Sequence, residues 1–76
     1  MVQPESNKGF KLVLETALLA APAPLTVSEL RRLFEDDPGS DEVRRVLGEL
    51  VEDWQGRGVE LVQTAGGWRF QTRIEY

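Results

Sequence analysis

Two pairs of arginines stand where cations could meet a phosphate backbone. Arg44 and Arg45 lie in a segment of helical periodicity, and Arg69 and Arg73 share one side of an alternating segment that follows a glycine pair. Carboxylates cluster at Glu35-Asp36-Asp37, followed by Asp41 and Glu42. Such a group suggests a cation site, but it lacks the alternating oxygen ligands and terminal Glu of a calcium loop, so a solvated turn is the expectation. Paired carboxylates that cleave glycosidic bonds need a cleft, and so small a domain has little wall to build one. Gly66-Gly67 lies between two strand-like segments, with no following helix whose amino end would hold an anion. The chain has no His and no Cys. It therefore lacks the usual proton shuttle near neutral pH, a thiolate nucleophile and the commonest zinc and copper ligands. These residues predict no catalytic site, no metal and no cofactor.

The elements that position these side chains must fit in 76 residues, of which 41% are hydrophobic and 29% charged. That is one small globular domain. Nine Lys and Arg against thirteen Asp and Glu give a net charge of −4, which leaves no broad cationic field for nucleic acid. Met1 to Asn7 carry no basic-then-apolar signal, and the longest apolar run, Ala17 to Pro24, is too short to span a bilayer. With no disulfide possible, a soluble cytoplasmic protein is expected.

Residues 1–6 show no periodicity and read as a disordered lead, with the domain over 7–76. Phe10, Val13, Leu14, Ala17, Leu18 and Ala21 recur at spacings of three and four, which predicts an amphipathic helix capped near Asn7 and ending near Ala21. Pro22 and Pro24 enforce an extended connector. Thr26 and Glu29 then form a capping box flanked by a Leu25 and Leu30 staple, predicting a second helix to about Phe34. After a turn at Pro38-Gly39, Ser40 is expected to cap a third helix. Its stripe is Val43, Val46, Leu47, Leu50, Val51 and Trp54, and it stops near Gln55.

Beyond Gly56 and Gly58 the period changes to two. Gly66-Gly67 as a two-residue loop predicts a hairpin with Ala65 facing Trp68, Gln63 facing Phe70, Leu61 facing Thr72 and Val59 facing Ile74. The solvated side then pairs Glu60 with Arg73, Val62 with Gln71 and Thr64 with Arg69. Three helices followed by a hairpin, with Leu25-Thr26 available as a third edge strand, is the order of a winged helix-turn-helix of the α+β class.

The series Lys11 to Ala20, Pro24 to Leu30, Gly56-Arg57-Gly58-Val59-Glu60-Leu61-Val62 and Ala65-Gly66-Gly67-Trp68-Arg69-Phe70-Gln71-Thr72-Arg73 resembles the segregation and condensation protein B family, from about Phe10 to Tyr76. The last two stretches carry the specificity. The resemblance implies the first of two tandem winged helices, ending at Glu75-Tyr76 where the family continues into a second. It also implies a non-enzymatic subunit of the bacterial condensin complex, nucleoid-associated and homodimeric. Its expected partners are the kleisin, segregation and condensation protein A, and through it the SMC ATPase, with much of the kleisin contact from the second domain.

The outer face of the third helix presents Asp41, Arg45, Gly48, Glu49 and Glu52, a net −2 that opposes a duplex. Arg44, at the edge of the stripe, is expected to pair locally with an acid rather than to contact a partner, and Arg73 has Glu60 opposite it. The alternative, a winged-helix transcription regulator, would use Arg44, Arg45, Arg69 and Arg73 on DNA. Trp68 and Trp54 are expected to pack inward. Leu12 and Leu19 lie one heptad apart, opposite the core stripe and flanking Thr16 with Ala20 nearby. They read either as scattered surface residues or as a self-complementary dimer patch. Gly48 either admits close approach of another chain or is neutral.

Overall fold

A computed structural model of the protein describes residues 6–73, with side chains from Gly9 onward. The elements run α1 (Ser6–Ala20), α2 (Val27–Arg31), α3 (Ser40–Asp53), β1 (Val59–Thr64) and β2 (Gly67–Thr72). This is the three-helix and hairpin order that the patterning predicts. Helix α1 begins at Ser6, so Asn7 lies within it rather than ahead of it. The rest of the expected lead, the Asn7 side chain and residues 74–76 lie outside the described residues.

The capping box at α2 forms as expected. Glu29 N–H donates to Thr26 Oγ1 at 3.1 Å while Thr26 N–H donates to Glu29 Oε1 at 2.8 Å. Regular α geometry stops at Arg31, short of Phe34. The chain continues in tight i to i+3 turns, with Leu33 N–H on Leu30 C=O at 3.2 Å and Phe34 N–H on Arg31 C=O at 3.3 Å. Ser40 is not the cap of α3. Gly39 holds that position at φ 89°, and the Ser40 hydroxyl is engaged by Arg31 at 3.2 Å.

The core is a single cluster of Leu14, Leu18, Leu30, Val43, Val46, Leu47, Leu50 and Leu61. Phe10, Leu25, Val27, Phe34, Val51, Trp68 and Phe70 pack half-buried around it. Helix α3 lies at its centre, touching α1, α2 and β1. Val13 departs from the expected stripe and is 42% exposed. Because α1 rests against α3 and β2, its buried line turns toward Leu14 and Leu18, and Val13 at the opposite edge of the predicted stripe is left exposed.

The hairpin differs from its expected register by two residues. Thr64 pairs with Gly67, Gln63 with Trp68, Leu61 with Phe70, Glu60 with Gln71 and Val59 with Thr72, so the loop is Ala65-Gly66. Gly67 belongs to the strand because its backbone, at φ 131°, passes against Leu25, where a Cβ would stand 2.5 Å from the Leu25 carbonyl carbon. A shift of two keeps each side chain on its face, so Leu61, Trp68 and Phe70 still point toward the core. Leu25 supplies the third strand as a single bridge. Its N–H donates to Trp68 C=O at 2.9 Å and its C=O accepts from Trp68 N–H at 2.7 Å, placing β2 between Leu25 and β1. Among the described residues no helix is long and apolar enough to cross a membrane.

The two glycines of the hairpin are therefore not equivalent. Gly67→Ala is expected to cost about 2–3 kcal/mol in urea denaturation, through forbidden φ and a clash with Leu25. Gly66→Ala, whose Cβ would meet Pro24 at an ordinary 3.8 Å, should fall within about 0.5 kcal/mol of the parent. Equal costs would contradict this register.

Candidate protein-contact surfaces

Helix α1 carries a buried line and, on its far side, an unburied apolar one. Leu12 is 61% exposed and Leu19 50% exposed, with Thr16 and Ala20 also exposed between and beside them. All four residues singled out on this side of the helix therefore reach its outer surface. Val13, at the boundary, extends the apolar area, and Leu33, 47% exposed, adds a separate apolar position beyond α2. Neither follows from periodicity: Val13 fits the core stripe equally well, and Leu33 falls where helix α2 is expected to continue.

The outer face of α3 is committed to ion pairs. Arg45 is held between Glu42 and Glu49, each at 2.6 Å, the i−3 and i+4 neighbours on its own helix. Glu42 lowers the guanidinium's readiness to lose its proton, raising its pKa, and the same contact lowers the Glu42 pKa. Arg44 lies 3.8 Å from Asp41. Lys11 of α1 reaches across to Asp53 at 2.7 Å and Glu49 at 3.3 Å, and the hydrogen bond to Asp53 raises its pKa against a desolvation cost. The pairing of Lys11 joins residues some forty positions apart, which no local spacing signals. Gly48 sits exposed in this face, and a Cβ there would meet no atom within 4 Å, so nothing in the chain's own packing requires glycine.

On the hairpin, Arg73 reaches Glu60 at 3.3 Å although Gln71 stands directly opposite and donates to the same carboxylate at 3.2 Å. The expected ion pair thus forms diagonally across the ladder. Arg69 is exposed and forms no ion pair among the described residues. Arg44, Arg45, Arg69 and Arg73 do not converge on one surface chemistry, since three of the four face a carboxylate within 4 Å.

Trp54 joins the end of α3 to two other elements. Its indole Nε1–H donates to Glu15 Oε2 of α1 at 3.1 Å, its ring packs on Phe70 of β2 at a centroid distance of 4.9 Å, and the Arg57 guanidinium lies 5.1 Å over it. Trp68 packs against the core as expected. In the acidic turn, Arg31 engages Asp37 through both nitrogens of its fork, and the Gly39 N–H donates to Asp37 Oδ1 at 2.9 Å. Asp37 therefore closes the turn between α2 and α3.

The model of the segregation and condensation complex subunit ScpB family matches residues 12–76. A segregation and condensation protein B homolog from Coxiella burnetii is 46% identical over 68 residues, which cover 87% of this chain and 32% of that relative. The chain thus spans about a third of that protein's length. The fold is similar to ScpB from Mycobacterium tuberculosis at TM-score 0.79 and 30% identity, covering 90% of this chain and 42% of that one. It is likewise similar to a crystal structure of a dimer of the ScpB N-terminal domain complexed with ScpA peptide, at TM-score 0.78 and 30% identity, covering 90% of this chain and 85% of that one.

The Arg31 hydrogen bonds, followed by that from Gly39 N–H, lower the Asp37 pKa from 3.8 to about 2. A depressed folded-state value means that the pair stabilises the fold fully above about pH 5 and loses that contribution as the carboxylate protonates between about pH 4 and 2. Thermal melts should show Asp37→Asn less stable than the parent at neutral pH, with the gap in Tm closing below pH 4. A gap independent of pH would assign Asp37 a purely steric role.

Proposed function

The chain belongs to the segregation and condensation complex subunit ScpB family, and on that premise we propose that it is a non-enzymatic assembly domain acting through contacts between polypeptides. In this reading residues 7–76 are the amino-terminal winged helix of a condensin subunit. The domain pairs with a second copy of itself and engages the kleisin ScpA, and through it the SMC ATPase, in chromosome condensation and segregation. The observation that carries it is the outer line of α1, where Leu12 and Leu19 stand half or more exposed with small Thr16 between them. A self-complementary apolar strip of this kind suits a two-fold helix crossing. The solved ScpB N-terminal domain that this fold resembles is itself a dimer with ScpA peptide.

The rival reading, a DNA-binding regulator, draws little support from the charges. The helix that enters the major groove in other winged helices presents arginines already engaged by carboxylates within a net −4 chain. Exchanging those partners for phosphates would leave Glu42 and Glu49 facing the backbone.

Sedimentation velocity tests the dimer. The parent should sediment as a dimer, and Leu12→Glu with Leu19→Glu should raise the dissociation constant by about 100-fold or more while leaving the far-UV circular dichroism unchanged. An unchanged mass with a retained fold rejects this surface. Duplex DNA titrated at physiological salt should bind weakly, and tight salt-sensitive binding would favour the rival.

A further inference from the structure

Between the buried Leu14 and Leu18 and the exposed apolar strip, α1 carries a third line of side chains. Lys11 and Glu15 occupy it, four residues apart, so they stack on one flank of the helix. At about 100° per residue, that flank stands roughly 90° from the centre of the Leu12, Thr16 and Leu19 line. Both side chains reach the carboxyl half of α3. The Lys11 ammonium bridges Asp53 at 2.7 Å and Glu49 at 3.3 Å, and the Glu15 carboxylate accepts from the Trp54 indole N–H at 3.1 Å. Glu49 serves two cations without conflict, since its Oε1 faces Lys11 while its Oε2 faces Arg45. The Lys11 side chain keeps 30% of its surface in solvent, so its ion pairs add little to stability. What the two ties add is direction. The burial of Leu14 and Leu18 is non-directional and tolerates a small turn of α1 about its own axis, whereas a hydrogen bond weakens steeply as the donor leaves its line. Any such turn would carry the exposed strip with it.

We infer that Lys11 and Glu15 are positioning residues for self-association, which lock the rotation of α1 on α3 and so aim the Leu12, Thr16 and Leu19 strip at a second copy. The inference rests on the dimer reading above and deepens it by naming residues that act without touching the partner. A two-fold interface uses the same helix from both copies, so a loss of rotational order counts twice. If the untied helix holds the binding setting about a third of the time, the dissociation constant rises by the square of that factor, about ninefold.

Sedimentation equilibrium of the 76-residue protein over a range of concentrations tests it. Lys11→Met with Glu15→Ala removes both ties and keeps an apolar stem at position 11. This variant should dimerise about five- to tenfold more weakly, while the thermal midpoint of the dilute monomer stays within about 5 °C of the parent. Arg44→Met, which removes an ion pair internal to α3, should change the dissociation constant less than about twofold. A charge exchange then separates positioning from direct contact. Lys11→Glu and Asp53→Lys should each weaken the dimer, and the two substitutions in one chain should recover most of the lost affinity. An equimolar mixture of the two single variants should not recover it. Recovery in the mixture would mean that Lys11 pairs across the interface, and it overturns the inference. So does failure of the doubly exchanged chain to recover, an unchanged dissociation constant in Lys11→Met with Glu15→Ala, or a weakened dimer matched by a collapse of the monomer's thermal midpoint. Each of those results leaves the dimer reading in place, whereas a parent that is monomeric at every concentration overturns both.

Discussion

Three elements converge on one side of α3, and that convergence constrains everything else in the domain. Val43, Val46, Leu47 and Leu50 are buried by α1, α2 and β1 together, so the only free surface left to α3 is its charged side. A domain of this size closes a core with few side chains, and eight aliphatics suffice here. The exposed aliphatics, Leu12 and Leu19 above all, remain in water unless another polypeptide covers them.

The electrostatics follow the same division. A recognition helix that reads DNA keeps its arginines available, but on α3 the outward arginines are matched to acids at helical spacing, and Lys11 ties Glu49 and Asp53 to α1. Exposed pairs of this kind contribute little each to stability. Their larger consequence is for partners, since they cancel the local field that phosphate recognition would need. At the hairpin, Glu60 holds Arg73 and Gln71, so Arg69 is the wing cation left without an ion-pair partner among the described residues.

Trp54 shows how function and fold share residues in so small a chain. Periodicity marks it as the end of the α3 stripe, and it does pack there. Its indole also holds Glu15 on α1, and its ring supports Phe70. Trp54 thereby ties both α1 and the wing to the end of α3.

Much of this was legible in the chain before any coordinates. Periodicity of 3.6 and 2 placed the helices and the hairpin, the Thr26–Glu29 box began α2, and the Leu12, Thr16 and Leu19 line was separable from Leu14 and Leu18 by angle alone. These are properties of neighbours along the backbone, where spacing and side-chain type suffice. Register was not such a property. Gly66-Gly67 offers two equally permissive glycines, and only the passage of Leu25 against β2 decides that Gly67 lies in the strand. Nor could spacing say which edge of the α1 stripe would be left in water at Val13, that Ser40 would serve Arg31 instead of capping α3, or that Lys11 and Glu15 would meet α3. Each of those outcomes depends on how distant segments are rotated and brought together, and the energy that selects among them comes from contacts existing only once the core has closed.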